Sequence, residues 1–303
     1  PELTVMIADA VNNCDVGPLK DFTMSEKDRY ELKIAGLLHD CGKISTPVHV
    51  VDKATKLQTL FDRIELIDTR FEVIKRDLEI AHLKGELSAE DLAKGLEQVD
   101  SDRAFIRHTN IGGEFMKDDA LARLKSIGEE RQWVGPSGEK ENFLSKDELY
   151  NLGIRAGTLT MEERQIINHH IDVTIDMLEE LPWPKHLKNV PEYAGGHHEK
   201  MDGKGYPKGL TREQMSVQAR CMGIADIFEA LTARDRPYKK GKTLSESLNI
   251  LGKMRLDHHV DPDLFNIFIW EKVYEKYARE YLDPEQIDEL DVTKIPGYEA
   301  PPV

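Results

Sequence analysis

HHEKMDGKGYP, residues 197–207, is the stretch on which the reading of this chain turns. An ordinary core helix or strand does not spend two histidines, two acids and several turn-formers on so short a run. Neutral imidazoles and carboxylates are ligand types for divalent transition metals, and Gly203, Gly205 and Pro207 suit a loop held in conformations most residues resist. A solvated polar turn could have the same composition. Against that stands a second His-Asp pair, His39-Asp40, inside the strongly apolar run IAGLLHDCGK at residues 34–43. Two such clusters in one chain point to a shared metal centre.

Composition bounds the partners. At 303 residues with 40% apolar side chains, the chain has length for one large domain or two small ones and ample material for a core. Its 41 basic and 56 acidic residues leave a net charge of −15, which argues against a DNA or RNA polymer or an anionic membrane surface. A small phosphorylated ligand stays open, because metal ions and a few local cations reverse the potential inside one cleft. Cys14, Cys41 and Cys221 are far apart and form no CxxC pair, as suits a reducing cytoplasm. No apolar run reaches the roughly 18 residues of a membrane span, and no signal-peptide pattern opens the chain. The first residues, PELTVMIADAVNNC, read as the interior of an amphipathic helix, which predicts a piece of a longer protein.

HDCGK at residues 39–43 together with HHEKMDGKGYP resembles the HD-GYP family, the branch of the HD-superfamily phosphohydrolases that degrades cyclic dinucleotides in bacterial signalling. An HD pair alone is a weak signal; the HHExxDGxGYP string is a specific one. The likeness covers roughly residues 1–53 and 157–290. It implies an all-α helical bundle of the HD superfamily, with residues 1–303 as one catalytic domain and a family-atypical, mainly helical insert over 54–156. It also implies a bacterial cytoplasmic protein with a sensor region upstream.

In chain order, Ser25 opens a helix with Asp28 at capping-box distance, and Leu32, Ile34, Leu37 and Leu38 would face its core before it ends near Gly42. His39 and Asp40 then lie at a helix C-terminus about 100° apart, so both can reach a metal lying over it. Lys43 is cationic at neutral pH and so no ligand; it suits holding a phosphate oxygen as charge builds, with a plain surface lysine as the alternative. In the insert, Leu57–Ile80, a run opened by Ser88 with Asp91, and Leu121–Ile127 read as helices, and residues 131–138 as a turn or small hairpin. Thr160 with Glu163 opens a helix through Leu181, and residues 264–281 read as one aromatic core helix that needs no cofactor. The tail from Pro284 reads as extended and weakly packed.

The resemblance carries further residues. It places a metal-binding histidine at His169; His170 falls where family members commonly have proline and is not carried over, although a rotation of the helix would let it ligate instead. It places a metal-binding carboxylate at Asp226, which as a lone acid among Ile224, Ala225, Ile227 and Phe228 needs a cation in any case. RDRPYKK resembles the family's RPY-K segment, which makes Arg236 and Lys239 candidates for phosphate or guanine contacts, although one extra residue separates Asp226 from Arg236. Asp202 and Tyr206 of the loop join them as substrate contacts. Some members bind a third metal through a glutamate on the helix before HD, and Glu2 lies near that position.

His39, Asp40, His169, His197, His198 and Asp226 thus make a mixed nitrogen and oxygen set sufficient for two divalent metals, with Asp40 as the bridge, iron first and manganese as substitute. The leading expectation is metal-dependent hydrolysis of cyclic di-GMP, of 3',3'-cyclic GMP-AMP, or of both, to the linear dinucleotide or on to mononucleotides. An HD phosphohydrolase of another nucleotide leaves the GYP loop unexplained. A non-catalytic module that binds GGDEF-type partners fits members that have lost ligands, and no core ligand is missing here.

Overall fold

Short polar caps set where many of the helices begin. Ser25 accepts from the Asp28 amide while the Asp28 carboxylate accepts from the Ser25 amide, and the same reciprocal box stands at Ser145 with Glu148, Thr160 with Glu163 and Thr243 with Glu246. Each box satisfies amides that a helix start leaves without an internal partner. The computed structural model describes residues 1–113, 115–234 and 241–302. Along them run α1 (Glu2–Asn13), α2 (Glu26–Leu38), α3 (Val48–Val51), α4 (Ile64–Leu83), α5 (Ala89–Ile111), α6 (Asp118–Lys125) and a hairpin of β1 (Gln132–Val134) with β2 (Lys140–Asn142). After the hairpin come α7 (Lys146–Leu152), α8 (Met161–Asn168), α9 (His170–Glu179), α10 (Val190–Gly195), α11 (Val217–Thr232), α12 (Leu244–Leu256), α13 (Pro262–Trp270) and α14 (Val273–Tyr281). Hairpin apart, the described residues are helix and loop, an all-α fold.

The chain divides into two compact units, Pro1–Ser45 with Asn168–Val303, and Thr46–Ile167. The second is wider on both sides than the 54–156 stretch read from sequence. In the first, α1 lies against α2, α11, α13 and α14. Its Leu3, Ile7, Ala8 and Val11 enter a core with Cys221, Ile224 and Phe228 of α11 and Phe265 and Phe268 of α13. α13 is apolar almost all round and is accordingly buried, each buried Phe contributing roughly 2–3 kcal/mol.

Two expectations are corrected here. Residues 264–281 are two helices, because Lys272 adopts φ 50°, a left-handed conformation that no α-helix continues through. The tail beyond Pro284 is not loose: Gln286 is buried and its side-chain amide donates to Thr232 O (2.8 Å) and Lys242 O (3.0 Å), and Ile295 belongs to the core.

The second unit is built on the α4/α5 pair. Ile67, Phe71 and Ile74 of α4 meet Val99 and Ile106 of α5 in a core closed by Phe143 and Leu152. Carboxylates buried in this unit are paired: Asp68 with Arg103 and Arg107, Asp102 with Arg123 and Arg131, Glu148 with Arg70. Lys53, with no side-chain exposure, reaches Glu163 (2.7 Å) and Asn151 (3.1 Å). Among the described residues no helix is long and apolar enough to cross a membrane.

Asp261 ties the start of α13 to α11 within the first unit. Fully buried, it caps α13 by accepting from the Asp263 and Leu264 amides and takes Arg212 (2.8 Å) and Arg220 on its other oxygen. Burial opposes its ionisation, but the two guanidiniums outweigh that and hold its carboxyl below the ordinary value of 3.8. Its stabilisation is therefore complete above about pH 4 and fades as pH falls below that value. Asp261→Ala should cost about 3 kcal/mol at pH 7, read as a lower urea midpoint; a midpoint unchanged within error would contradict this account of the bundle.

Candidate metal centre

α2 ends at Leu38, and His39 follows as its C-cap with helical backbone angles. That geometry returns the His39 Nδ1–H to the Gly36 carbonyl (2.9 Å) and leaves Nε2 pointing outward. The chain then tightens into a 3-10 turn over Cys41–Ser45 instead of running on in α2 to Gly42. In it Lys43 Nζ donates to Asp40 Oδ2 at 2.6 Å. The turn lies hard against α9: a Cβ on Gly42 would stand 2.0 Å from His170 O, and the Gly42 amide donates to Thr174 Oγ1 (2.9 Å).

That contact sets His170 opposite Asp40, with Nε2 3.2 Å from Asp40 Oδ1 and the ring 3% exposed. His169, one residue earlier and so about 100° around the axis, has its side chain 65% exposed and paired with Asp172 at 3.0 Å. The structure thus brings His170, and not the expected His169, to Asp40. The reason is register: the helix is interrupted at His169, and α9 begins with the next residue turned inward.

The signature loop supplies the other side. Beyond α10, His197 donates from Nδ1 to Ala194 O at 2.7 Å, repeating the three-residue return made by His39, and its Nε2 is buried with no hydrogen-bond partner among the described residues. Asp226, on α11, brings Oδ1 to 3.6 Å from His39 Nε2. Two clusters result, His39 with Asp40 and His197, and His170 with His197 and His198, in each of which one ligand atom per residue lies within 4.8 Å of the others. Asp40 faces both: Oδ2 is 3.3 Å from His39 Nε2, Oδ1 is 3.2 Å from His170 Nε2 and 4.0 Å from His197 Nε2.

The donor set fits metal ions. With Nδ1–H of His39 and His197 given to backbone carbonyls, the Nε2 atoms face carboxylate oxygens, an arrangement that repels unless a proton or a metal cation lies between. Burial, then the neighbouring His39 charge, pushes His197 down to about 4, and burial and His197 depress His198 as well. Both imidazoles are therefore neutral and able to ligate. His39 goes the other way: burial would lower it, but Asp226 and Asp40 together raise it. The Asp40 and Asp226 carboxyls, despite burial, are held below the ordinary range by the imidazoles around them.

Residues outside the cluster hold the loop. Glu199, which sequence reasoning did not single out, is buried and accepts from the Lys208 (2.8 Å) and Leu210 (2.9 Å) amides, closing the loop on itself. At Gly205 a Cβ would stand 2.4 Å from Glu199 Cα, so a side chain cannot be placed there. Tyr206 stacks on His198, ring centres 4.8 Å apart. Asp202, expected to touch substrate, instead accepts from the Lys204 amide (3.1 Å) and ammonium (2.8 Å) and shapes a turn. Glu2 lines the same cavity of about 590 Å³ as His39, Asp40 and Asp226, but its carboxylate is taken by Lys33 at 2.8 Å. Arg236 and Lys239 lie outside the described residues.

A family profile described as an HD domain matches residues 146–264. The chain is 42% identical over 115 residues to a cyclic di-GMP phosphodiesterase of Pseudomonas aeruginosa, covering 38% of this chain and 27% of that protein. It is 34% identical over 157 residues to a 3'3'-cGAMP-specific phosphodiesterase of Vibrio cholerae, covering 48% and 31%. To a cyclic di-GMP phosphodiesterase of Thermotoga maritima it is 36% identical over 94 residues, covering 31% and 25%. The chain spans less than a third of the length of each of these relatives.

Two outcomes check the centre. His170→Ala should lose bound iron or manganese, measured by elemental analysis after dialysis, whereas His169→Ala should retain it; the reverse pattern would restore the sequence-based assignment. Metal-free protein should lose roughly 2–3 kcal/mol of stability between pH 6.5, the ordinary histidine value, and about 4, where His197 titrates, because the unfolded chain there binds a proton that folded His197 does not. Urea midpoints taken across that range, with and without metal, read this directly.

Proposed function

We propose that the chain is a member of the HD-GYP family and that it hydrolyses a phosphodiester bond of a cyclic dinucleotide, cyclic di-GMP or 3',3'-cyclic GMP-AMP, with two divalent metals. The observation that carries this reading is Asp40, whose two oxygens divide between His39 on one side and His170 with His197 on the other. A carboxylate set between two groups of imidazoles would be able to help hold two ions at once.

His39, Asp40, His170, His197, His198 and Asp226 would hold the ions, and this imidazole and carboxylate set without thiolate suits iron or manganese better than a closed structural zinc. When bound, such a pair supplies a water of lowered pKa and Lewis-acid stabilisation of the phosphoryl oxygens. The chain's own residues do the rest. Lys43 Nζ, 2.6 Å from Asp40 Oδ2, stands where an ammonium can take a nonbridging phosphate oxygen and balance the charge that builds there. The carbonyls of Gly36 and Ala194 keep the rings of His39 and His197 in the tautomer that leaves Nε2 free to ligate. Tyr206, stacked on His198, limits how that ring can turn. This favours a positioning role for Tyr206 over docking of a GGDEF-type partner. Glu2 lines the cavity and is the carboxylate to which a third ion, and cleavage on to mononucleotides, would be assigned.

The test is anaerobic turnover of both cyclic dinucleotides by iron-loaded and manganese-loaded protein, with products separated by chromatography. Asp40→Ala should fall to background, and Lys43→Ala should lose about 100-fold in kcat with its metal retained. Fully loaded protein that turns over neither compound would overturn the reading.

A further inference from the structure

The cavity over the metal cluster has an aromatic wall that the chemistry at phosphorus does not use. Tyr277 and Tyr281, one turn apart on α14, line it together with His39, Asp40 and Asp226. Their rings are stacked, centres 4.8 Å apart and 28° between planes. The stack is anchored from behind: Tyr277 meets Phe228 edge to face at 6.1 Å, and Phe228 meets Phe268 at 5.3 Å, both phenylalanines being fully buried. An aromatic ladder thus runs out of the core and ends at Tyr281, 46% exposed. A core-packing stripe would end buried; this one ends in the cavity beside the metal ligands.

Glu229 lines the cavity too, one helical turn beyond Asp226 on α11 and so on the same face. It is near enough to the stack that its charge, after burial, helps push the Tyr277 hydroxyl up to about 12. An acid so placed does not suit phosphate. It suits the Watson–Crick edge of guanine, where N1–H and the 2-amino group offer two adjacent donors and adenine does not.

We propose that Tyr281, backed by Tyr277, is the platform on which a purine base of the substrate stacks, and that Glu229 reads the edge of that base in favour of guanine. This rests on the cyclic-dinucleotide reading and extends it to the specificity of the same cavity. A cavity of about 590 Å³ has room for a nucleotide-sized ligand, and every base presents a face to an aromatic ring, so the stack supplies affinity while the carboxylate supplies choice.

The experiment compares metal-loaded wild type, Tyr281→Leu, Tyr281→Trp and Glu229→Gln on cyclic di-GMP, cyclic di-AMP and the base-free diester methyl p-nitrophenyl phosphate, with metal content measured for each. For Tyr281→Leu the ratio of kcat/KM on cyclic di-GMP to that on the base-free diester should fall about 10-fold, through KM, and Tyr281→Trp should restore it. For Glu229→Gln the preference for cyclic di-GMP over cyclic di-AMP should fall by a similar factor. Turnover of cyclic di-GMP with an unmoved ratio, or an equal loss on both substrates that Trp does not restore, overturns the platform and leaves the proposed function standing. If wild type hydrolyses none of the three, calorimetric binding of cyclic di-GMP replaces KM: binding weakened by Tyr281→Leu keeps the platform while the hydrolytic reading fails, and no binding by wild type overturns both.

Discussion

At Gly42 the chain passes so close to the first turn of α9 that no side chain can be accommodated, and the candidate metal centre depends on that approach. The Gly42 amide is held by Thr174, and the residue before the turn, Asp40, is thereby carried to His170. Any Cβ at this position would overlap the His170 carbonyl, so the turn and α9 would have to separate, and with them the carboxylate and imidazole. Interiors are packed too densely for such a shift to be absorbed locally.

Around that contact the electrostatics are arranged for a cation. His39 and His197 reach the site from different parts of the chain, yet each gives Nδ1–H to the carbonyl three residues before it. The returned hydrogen bond orients the ring and decides which nitrogen carries the proton, so the other lone pair converges on Asp40. At the place where an anionic phosphate would enter, a chain of net charge −15 sets imidazoles and Lys43 beside the carboxylates of Glu2, Asp40, Asp226 and Glu229. Metal ions would supply the reversal of sign that the overall composition opposes.

Much of this was open to a reader of the residues. The capping boxes at Ser25 and Thr160, the helices of residues 54–156 and the hairpin at 131–138 follow from local rules that need no partner element. His39-Asp40 announced itself because an imidazole and an acid are expensive to place inside an apolar run without a ligand, and residues 197–207 because so short a stretch spends two histidines, two acids and several turn-formers. Failures came where a local signal was degenerate. Aromatic spacing over 264–281 is equally good for one helix or two, and nothing in it reveals that Lys272 turns left-handed. The tail after Pro284 has too few apolar residues to look packed, yet Gln286 and Ile295 find partners on elements distant in sequence.

His169 and His170 mark the boundary between the two kinds of knowledge. Residue types and the family resemblance together pointed to an all-α fold, a candidate metal cluster and a glycine-bearing tight loop, because helix caps, ligand chemistry and turn preferences act over a few residues; that Gly205 leaves no room for a side chain appears only in the fold. Which of two adjacent imidazoles faces Asp40 is a matter of about 100° of rotation, and that rotation follows from where α9 begins and how closely Gly42 lets it approach. In the same way Tyr277 and Tyr281 read as core until α14 is set beside the cavity. A side chain's direction is a property of its packed neighbours, and those neighbours are brought together only by the folded chain.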